Sequence, residues 1–266
     1  VNVPKRAVDY IQKRYGALMT MTDHWFGILI KKLKELNMFE DTLVIVTTDH
    51  GYFLGERNYF GKNYMHLYNE LAHLPFIVKF PGGKRAGERI NSIDIMPTVL
   101  EYNNIPIPDC VRGKSFKSIA DYKDNGKEYA LYGYHGMAMN ITDGRYTYFR
   151  APNADNWPCY EYTCIPTTIR KYLGTGVEDK IEMGRFFKRT LYPLYRVPIH
   201  TPSIIDNVEC GLKEVEETKL FNIEKDYAQL ENRVGSEVEE TYKNLLIRAL
   251  DENEAPSEQK ERLSLL

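Results

Sequence analysis

The chain has 266 residues, 43% hydrophobic and 27% charged, with a net charge of −2. That balance is typical of a soluble globular protein with room for one α/β domain and an appendage. It excludes a nucleic-acid binder, since there is no basic stripe, and no apolar run approaches the length of a membrane span.

The chain starts Val1-Asn2-Val3-Pro4, without a signal-peptide pattern, and reads as a piece cut from a longer protein. Cys110, Cys159, Cys164 and Cys210 are scattered and form no CxxC pair. Free thiols in a reducing, cytoplasmic setting are the expectation, although Cys159 and Cys164 are close enough to pair.

Pro4 to Leu36 predicts one long helix. Val8, Ile11, Tyr15, Leu18, Trp25, Leu29, Leu33 and Leu36 follow three-and-four spacing, Pro4 suits the first turn, and Asn37 suits a left-handed stop. Asp23 and His24 lie on this helix and read as part of a solvated face. The run Leu43 to Thr48 predicts a fully buried strand of the parallel-sheet kind, half of a βαβ unit begun upstream. It ends abruptly in Asp49-His50-Gly51, where Gly51 would let the chain turn sharply. Chemistry collects beyond the carboxyl ends of such strands, and a carboxylate beside an imidazole is half of a metal site.

A helical turn is expected over Leu67 to Leu71, then a strand over Pro75 to Phe80, closed by Pro81-Gly82-Gly83. Ser92 is the expected N-cap of a helix carrying Ile93, Ile95, Met96, Val99 and Leu100, with Pro97 near its first turn. Asp121 to Lys127 reads as a polar boundary, dividing residues 1–125 from 126–266. Beyond it, Tyr129–Tyr134, Met137–Thr142 and Arg145–Arg150 predict antiparallel strands, the last two joined by an Asp143-Gly144 turn. Residues 152–202 read as an insertion holding a short helix or two. Lys219 to Ile223 is a late strand, Val238 to Leu250 an amphipathic helix, and the acidic tail after Glu252 is expected to fray.

Several ordered blocks resemble the sulfatases of the alkaline-phosphatase superfamily. They are Met19 to Gly27, Thr42 to Gly51, Leu54-Gly55-Glu56, Gly61-Lys62, Leu67 to Pro75, Phe80-Pro81-Gly82, Ser92 to Leu100, Gly113-Lys114-Ser115 and Lys219 to Asp226. The resemblance is dense over 15–116 and does not cover the insertion. It implies the C-terminal part of an alkaline-phosphatase-like α/β sheet with helices on both faces, followed by a smaller α+β subdomain with a short antiparallel sheet.

The resemblance further implies that Asp49 is a ligand of a divalent ion, calcium in most sulfatases, and that His50 is a ligand or immediate neighbour of that ion. It makes Lys62 the ammonium that meets the sulfate oxygens. On residue type alone, Lys62 would read as a surface lysine. His66 is a candidate substrate contact in a loop facing the pocket, whereas His73, at the start of a strand, reads as structural. The substrate implied is a sulfate ester of a small molecule or carbohydrate.

The family nucleophile lies in a Cys/Ser-x-Pro-x-Arg motif that is absent here, so the rest of the enzyme is the expected partner and the chain alone should not turn over. Two alternatives stand beside this. One is a phosphonate monoester or phosphodiester hydrolase of the same superfamily, using Mn2+, Fe2+ or Zn2+. The other is a non-catalytic fragment or binding module.

Overall fold

The computed structural model describes residues 3–62, 65–81, 90–120, 126–165, 180–199, 204–207, 212–215 and 217–266. Gly82 and Gly83, Cys210 and the polar stretch 121–125 lie outside the described residues. The fold is mixed α/β with small antiparallel sheets. It forms two compact units, one mainly Val1–Glu88, the other Arg89–Lys117, Gly126–Asp206 and Leu212–Leu266.

The first unit opens with α1 (Lys5–Glu35), the expected long helix. It stops because Asn37 takes a left-handed φ of 56° and Met38 N–H reaches back to the Leu33 carbonyl at 2.9 Å. Its apolar stripe is open: no residue of α1 is buried, and Trp25 is 62% exposed. Next come β1 (Val44–Thr47), β2 (Phe53–Leu54), β3 (Phe60–Gly61), α2 (Asn69–Ala72) and β4 (Phe76–Lys79).

The expectation of a fully buried parallel strand is corrected here. Among the described residues β1 pairs antiparallel with β4, from Val44 opposite Lys79 to Thr47 opposite Phe76, and it is only half-buried. An apolar run records a preference for burial; it does not encode which way the neighbouring strand runs. Lys79 pins the approach to β1, donating to the carbonyls of Phe39 and of Glu40, the latter at 3.0 Å.

In the second unit, the helix α3 (Ile95–Tyr102) is preceded by a 3-10 turn, Ser92–Asp94. Asn91, rather than Ser92, is the N-cap, and it forms a capping box with Asp94. The correction follows from one extra turn of 3-10 helix, which moves the cap a residue upstream. α4 (Lys117–Ala120) follows. Then β5 (Ala130–Gly133), β6 (Met139–Thr142) and β7 (Tyr146–Arg150) make the predicted meander, with Gly144 at a φ of 86° in its turn.

The described part of the insertion holds β8 (Tyr160–Thr163), β9 (Glu182–Gly184) and β10 (Leu194–Pro198), a three-stranded antiparallel sheet ordered β8-β10-β9, while residues 166–179, on which an expected short helix could fall, lie outside the described residues. Aromatic and β-branched residues alternate there without a helical period, so cross-strand pairing wins. β11 (Ile204–Asn207) and β12 (Leu212–Val215) pair with each other. β13 (Lys219–Asn222) joins β7, completing a four-stranded sheet ordered β13-β7-β6-β5.

α5 (Glu239–Glu252) and α6 (Ser257–Arg262) close the chain. Leu246 and Ala249 of α5 pack with Ile141, Tyr148 and Leu220 of the sheet in one core. The tail does not fray. Leu263 is fully buried in that core, and Arg262, 2% exposed, donates to Asn156 Oδ1 at 2.7 Å and to the Met137 carbonyl at 3.1 Å. Charge in the tail suggested exposure, but Leu263, Leu265 and Arg262 supply the anchor. We expect limited proteolysis to leave residues 257–266 attached; early release of that segment from folded protein would contradict this packing.

Candidate active site

Asp49 and His50 follow β1 by two and three residues, at the strand end where the sequence placed them. Gly51 is required there for a reason the sequence did not show. Its φ is not left-handed; a Cβ at this position would lie 1.7 Å from the Glu70 carbonyl oxygen. Its N–H also donates to the Leu71 carbonyl at 2.9 Å, so the backbone of α2 presses directly on the Asp-His-Gly turn.

We expect Gly51→Ala to push α2 off this turn, at a cost of about 2 kcal/mol or more. A melting temperature equal to the parent's would mean that the turn yields freely.

The imidazole of His50 is held at both nitrogens. Nδ1 lies 2.8 Å from the Gly51 carbonyl, which can only accept, so Nδ1 carries the proton. Nε2 is then the lone-pair nitrogen, and the Lys62 ammonium approaches it to 2.6 Å. The same Nε2 is 3.5 Å from Asp49 Oδ1. Lys62 arrives because β2 and β3 form a short hairpin, Phe53 opposite Gly61, that folds the chain back beside the strand end. Gly55, at a φ of 115°, begins the turn of that hairpin.

Asp49 is open to ligands, its side chain 84% exposed. Loss of water raises its carboxyl. The Asp49 N–H, the His50 ring, the His50 N–H and the Lys62 ammonium together outweigh that, leaving it below the ordinary carboxylate value.

The structure therefore brings three of the four candidates, Asp49, His50 and Lys62, into one contact chain. The fourth, His66, is 3% exposed, its ring edge-on to Tyr68 at 5.7 Å. It sits within the packing instead of facing an open pocket. His73 is exposed on the chain leading into β4.

Asp49 is a hard, ionised oxygen ligand for a divalent cation, whereas the one lone pair of His50 Nε2 faces the Lys62 ammonium at 2.6 Å, so His50 becomes a second ligand only once Lys62 turns away. Among the described residues no group of three His, Cys, Asp or Glu side chains could hold one. None of the cysteines described takes part in a disulfide: Cys110 and Cys164 are exposed and Cys159 is buried. Cys164-Ile165-Pro166-Thr167-Thr168 shares Cys-x-Pro with the nucleophile motif and departs from it at Thr168, where the motif has arginine.

The strand, the Asp-His-Gly turn and the lysine hairpin all lie within residues 7–105, the stretch matched by the sulfatase family model. Residues 7–105 are thus similar to the sulfatase family over less than half of the chain. Relatives of the chain include an ulvan-active sulfatase of Formosa agariphila, 28% identical over 60% of this chain and 30% of its own length. An N-acetylglucosamine-6-O-sulfatase of Bacteroides thetaiotaomicron is 24% identical over 60% of this chain and 31% of its own length. The chain thus spans about a third of the length of these relatives.

Among solved structures, a candidate sulfatase of Bacteroides fragilis aligns with a TM-score of 0.60 at 19% identity, over 94% of this chain and 45% of its own. A phosphonate monoester hydrolase of Agrobacterium radiobacter aligns at 0.52 and 14%, over 86% and 38%. At these identities the likeness shows the alkaline-phosphatase-like fold alone.

Proposed function

We propose that this chain supplies part of the site of a sulfatase that hydrolyses sulfate esters of carbohydrates or aryl groups. The observation that carries this is the Lys62 ammonium, 2.6 Å from His50 Nε2 and beside an exposed, ionised Asp49. A strand end that gathers one carboxylate, one imidazole and one ammonium can bind an oxyanion and a cation together.

Asp49 would hold the divalent ion, with His50 Nε2 joining it once the Lys62 ammonium turns away; calcium is the expected ion because the carboxylate is a hard oxygen donor. When bound, such an ion would draw negative oxygens to the site. Lys62 is a compact point charge, suited to the charge that grows on the sulfate oxygens as the S–O bond breaks. The Gly51 carbonyl fixes the His50 tautomer and so keeps Nε2 as an acceptor toward the site. The burial of His66 speaks against a direct substrate contact and for support of the turn before α2. Carbohydrate is the preferred substrate class because the names of the relatives point to ulvan and N-acetylglucosamine.

The nucleophile is assigned to a part of the enzyme outside these 266 residues. The purified chain is accordingly expected to show no turnover of an aryl sulfate or of an aryl phosphate. Sulfate release that persists in chelator would sink the proposed division of labour, and phosphate release would move the chain to the phosphoesterase side of the superfamily.

A further inference from the structure

The turn that returns the chain to Lys62 has an unusual backbone. Gly55 stands at a φ of 115°, and the 3-10 turn Glu56–Asn58 that follows holds Arg57 and Asn58 at a φ of 54° each. Glycine and asparagine enter left-handed conformations readily; arginine does not. Where a turn asks only for a shape, glycine would serve at position 57 as it does at 55. A long side chain kept there in a left-handed conformation marks a side chain with a task.

That side chain reaches Tyr68. The Arg57 guanidinium lies over the buried Tyr68 ring, 3.5 Å from its centre. A planar, weakly hydrated guanidinium stacks on an aromatic face in a way an ammonium does not reproduce. Tyr68 is also the N-cap of α2, its carbonyl accepting from the Leu71 and Ala72 N–H groups, both at 2.9 Å. α2 in turn holds the other half of the site, because the Leu71 carbonyl receives the Gly51 N–H at 2.9 Å. A separate tie comes from α1, where Gln12 donates to the Leu54 carbonyl at 3.1 Å.

The contacts close a ring within the first compact unit. It runs from His50 through Gly51 and α2 to Tyr68, then through Arg57 and the hairpin to Lys62, and back to His50 Nε2 at 2.6 Å. We propose that Arg57 and Tyr68 are positioning residues, the stacked pair setting the distance between the Lys62 ammonium and the Asp49–His50 pair. Its purpose rests on the reading of Lys62 as the sulfate-facing ammonium. A charge contact displaced by about 1 Å loses much of its effect on rate, and an ammonium carried by a hairpin of two-residue strands needs a second support.

The test is imidazole nitrogen NMR of the whole 266-residue chain, isotope-labelled at its six histidines, at about pH 8, where an ordinary imidazole is neutral. His50→Gln identifies the His50 peak, and Lys62→Met gives its position with the ammonium removed. The parent Nε2 resonance is expected to lie apart from that position, as an acceptor of a charge-assisted hydrogen bond should. Arg57→Gly relieves the left-handed backbone while deleting the guanidinium. It should move the resonance most of the way to the Lys62→Met position, with the far-UV circular dichroism unchanged because Gln12 still ties the hairpin to α1. Tyr68→Phe keeps the ring face and should keep the parent signal. Arg57→Lys keeps the charge without the plane and should fall between the parent and Arg57→Gly.

The proposal is overturned if the parent and Lys62→Met share one position, or if Tyr68→Phe loses the parent signal. It is overturned equally if Arg57→Gly keeps that signal, even with a lowered melting temperature, as a merely structural arginine would. Should Arg57→Gly unfold, Arg57→Lys decides in its place, a parent-like signal again overturning the proposal. No sulfate or metal enters this measurement, so it stands or falls apart from the sulfatase reading, which the kinetics of Lys62 and Asp49 variants test.

Discussion

Lys62→Ala, made in a catalytically complete protein that carries this segment, is expected to lower kcat/KM about a hundredfold while leaving metal content unchanged. The ammonium 2.6 Å from His50 Nε2 is a donor that cannot ligate a cation. Its removal therefore spares the ion and takes away a charge contact worth on the order of 3 kcal/mol in the transition state. If the contact strengthens as charge develops, kcat falls with kcat/KM. Asp49→Ala should differ in kind, losing metal and rate together, since that carboxylate is the exposed hard donor of the pair. Elemental analysis and steady-state kinetics on both variants decide between these outcomes. A Lys62→Ala enzyme as active as its parent would make Lys62 an ordinary surface lysine beside a histidine.

The second large effect concerns folding. Asp94 is 2% exposed and accepts from the Asn91 N–H at 2.9 Å and the Lys114 N–H at 2.8 Å, while the Lys127 ammonium sits 2.6 Å from Oδ1. One carboxylate thus closes the capping box, fixes the Gly113-Lys114-Ser115 stretch and neutralises a mostly covered lysine. Thr98 extends the cluster, its hydroxyl donating to the Asp94 carbonyl at 2.7 Å and accepting from the Phe116 N–H at 3.0 Å.

Asp94→Ala removes the three carboxylate contacts, to the Asn91 and Lys114 N–H groups and to the Lys127 ammonium, while the Thr98 bond to the backbone carbonyl remains. A cost of about 3 kcal/mol is expected, at the lower end of broken buried pairs because Lys127 keeps some solvent. That corresponds to roughly 6–12 °C in Tm for a chain of this size. Asp94→Asn keeps an acceptor without the charge and should fall between. A thermal melt of Asp94→Ala within about 2 °C of the parent would show that the cluster is ornamental.

The same residue shows how far the sequence could be read. Ser92 was the better N-cap by residue type. Asn91 took the position because the capping box pairs it with an acid three residues on, and Asp94 also had a distant lysine to hold. Local preference named the right neighbourhood, and a contact 33 positions away chose the residue. Gly51 taught a similar lesson: residue type marked a special backbone, but only the approach of Glu70 explained why.

The helix α1, its left-handed stop at Asn37, the β5-β6-β7 meander and the position of Asp49 and His50 at a strand end were all determined by the sequence. Each is written in local periodicity, turn chemistry or an abrupt end to an apolar run, and none needs a distant partner.

What the tertiary structure alone decided depends on distant pairing. It made β1 run antiparallel to β4, brought Lys62 onto His50 through a hairpin of two-residue strands, withdrew His66 into the packing, paired three described segments of the insertion into a sheet, and buried Leu263 and Arg262 of a tail whose charge had suggested solvent. Strand direction and side-chain burial are set by whichever surface the chain meets on folding back, and a one-dimensional pattern carries only the tendency to meet one.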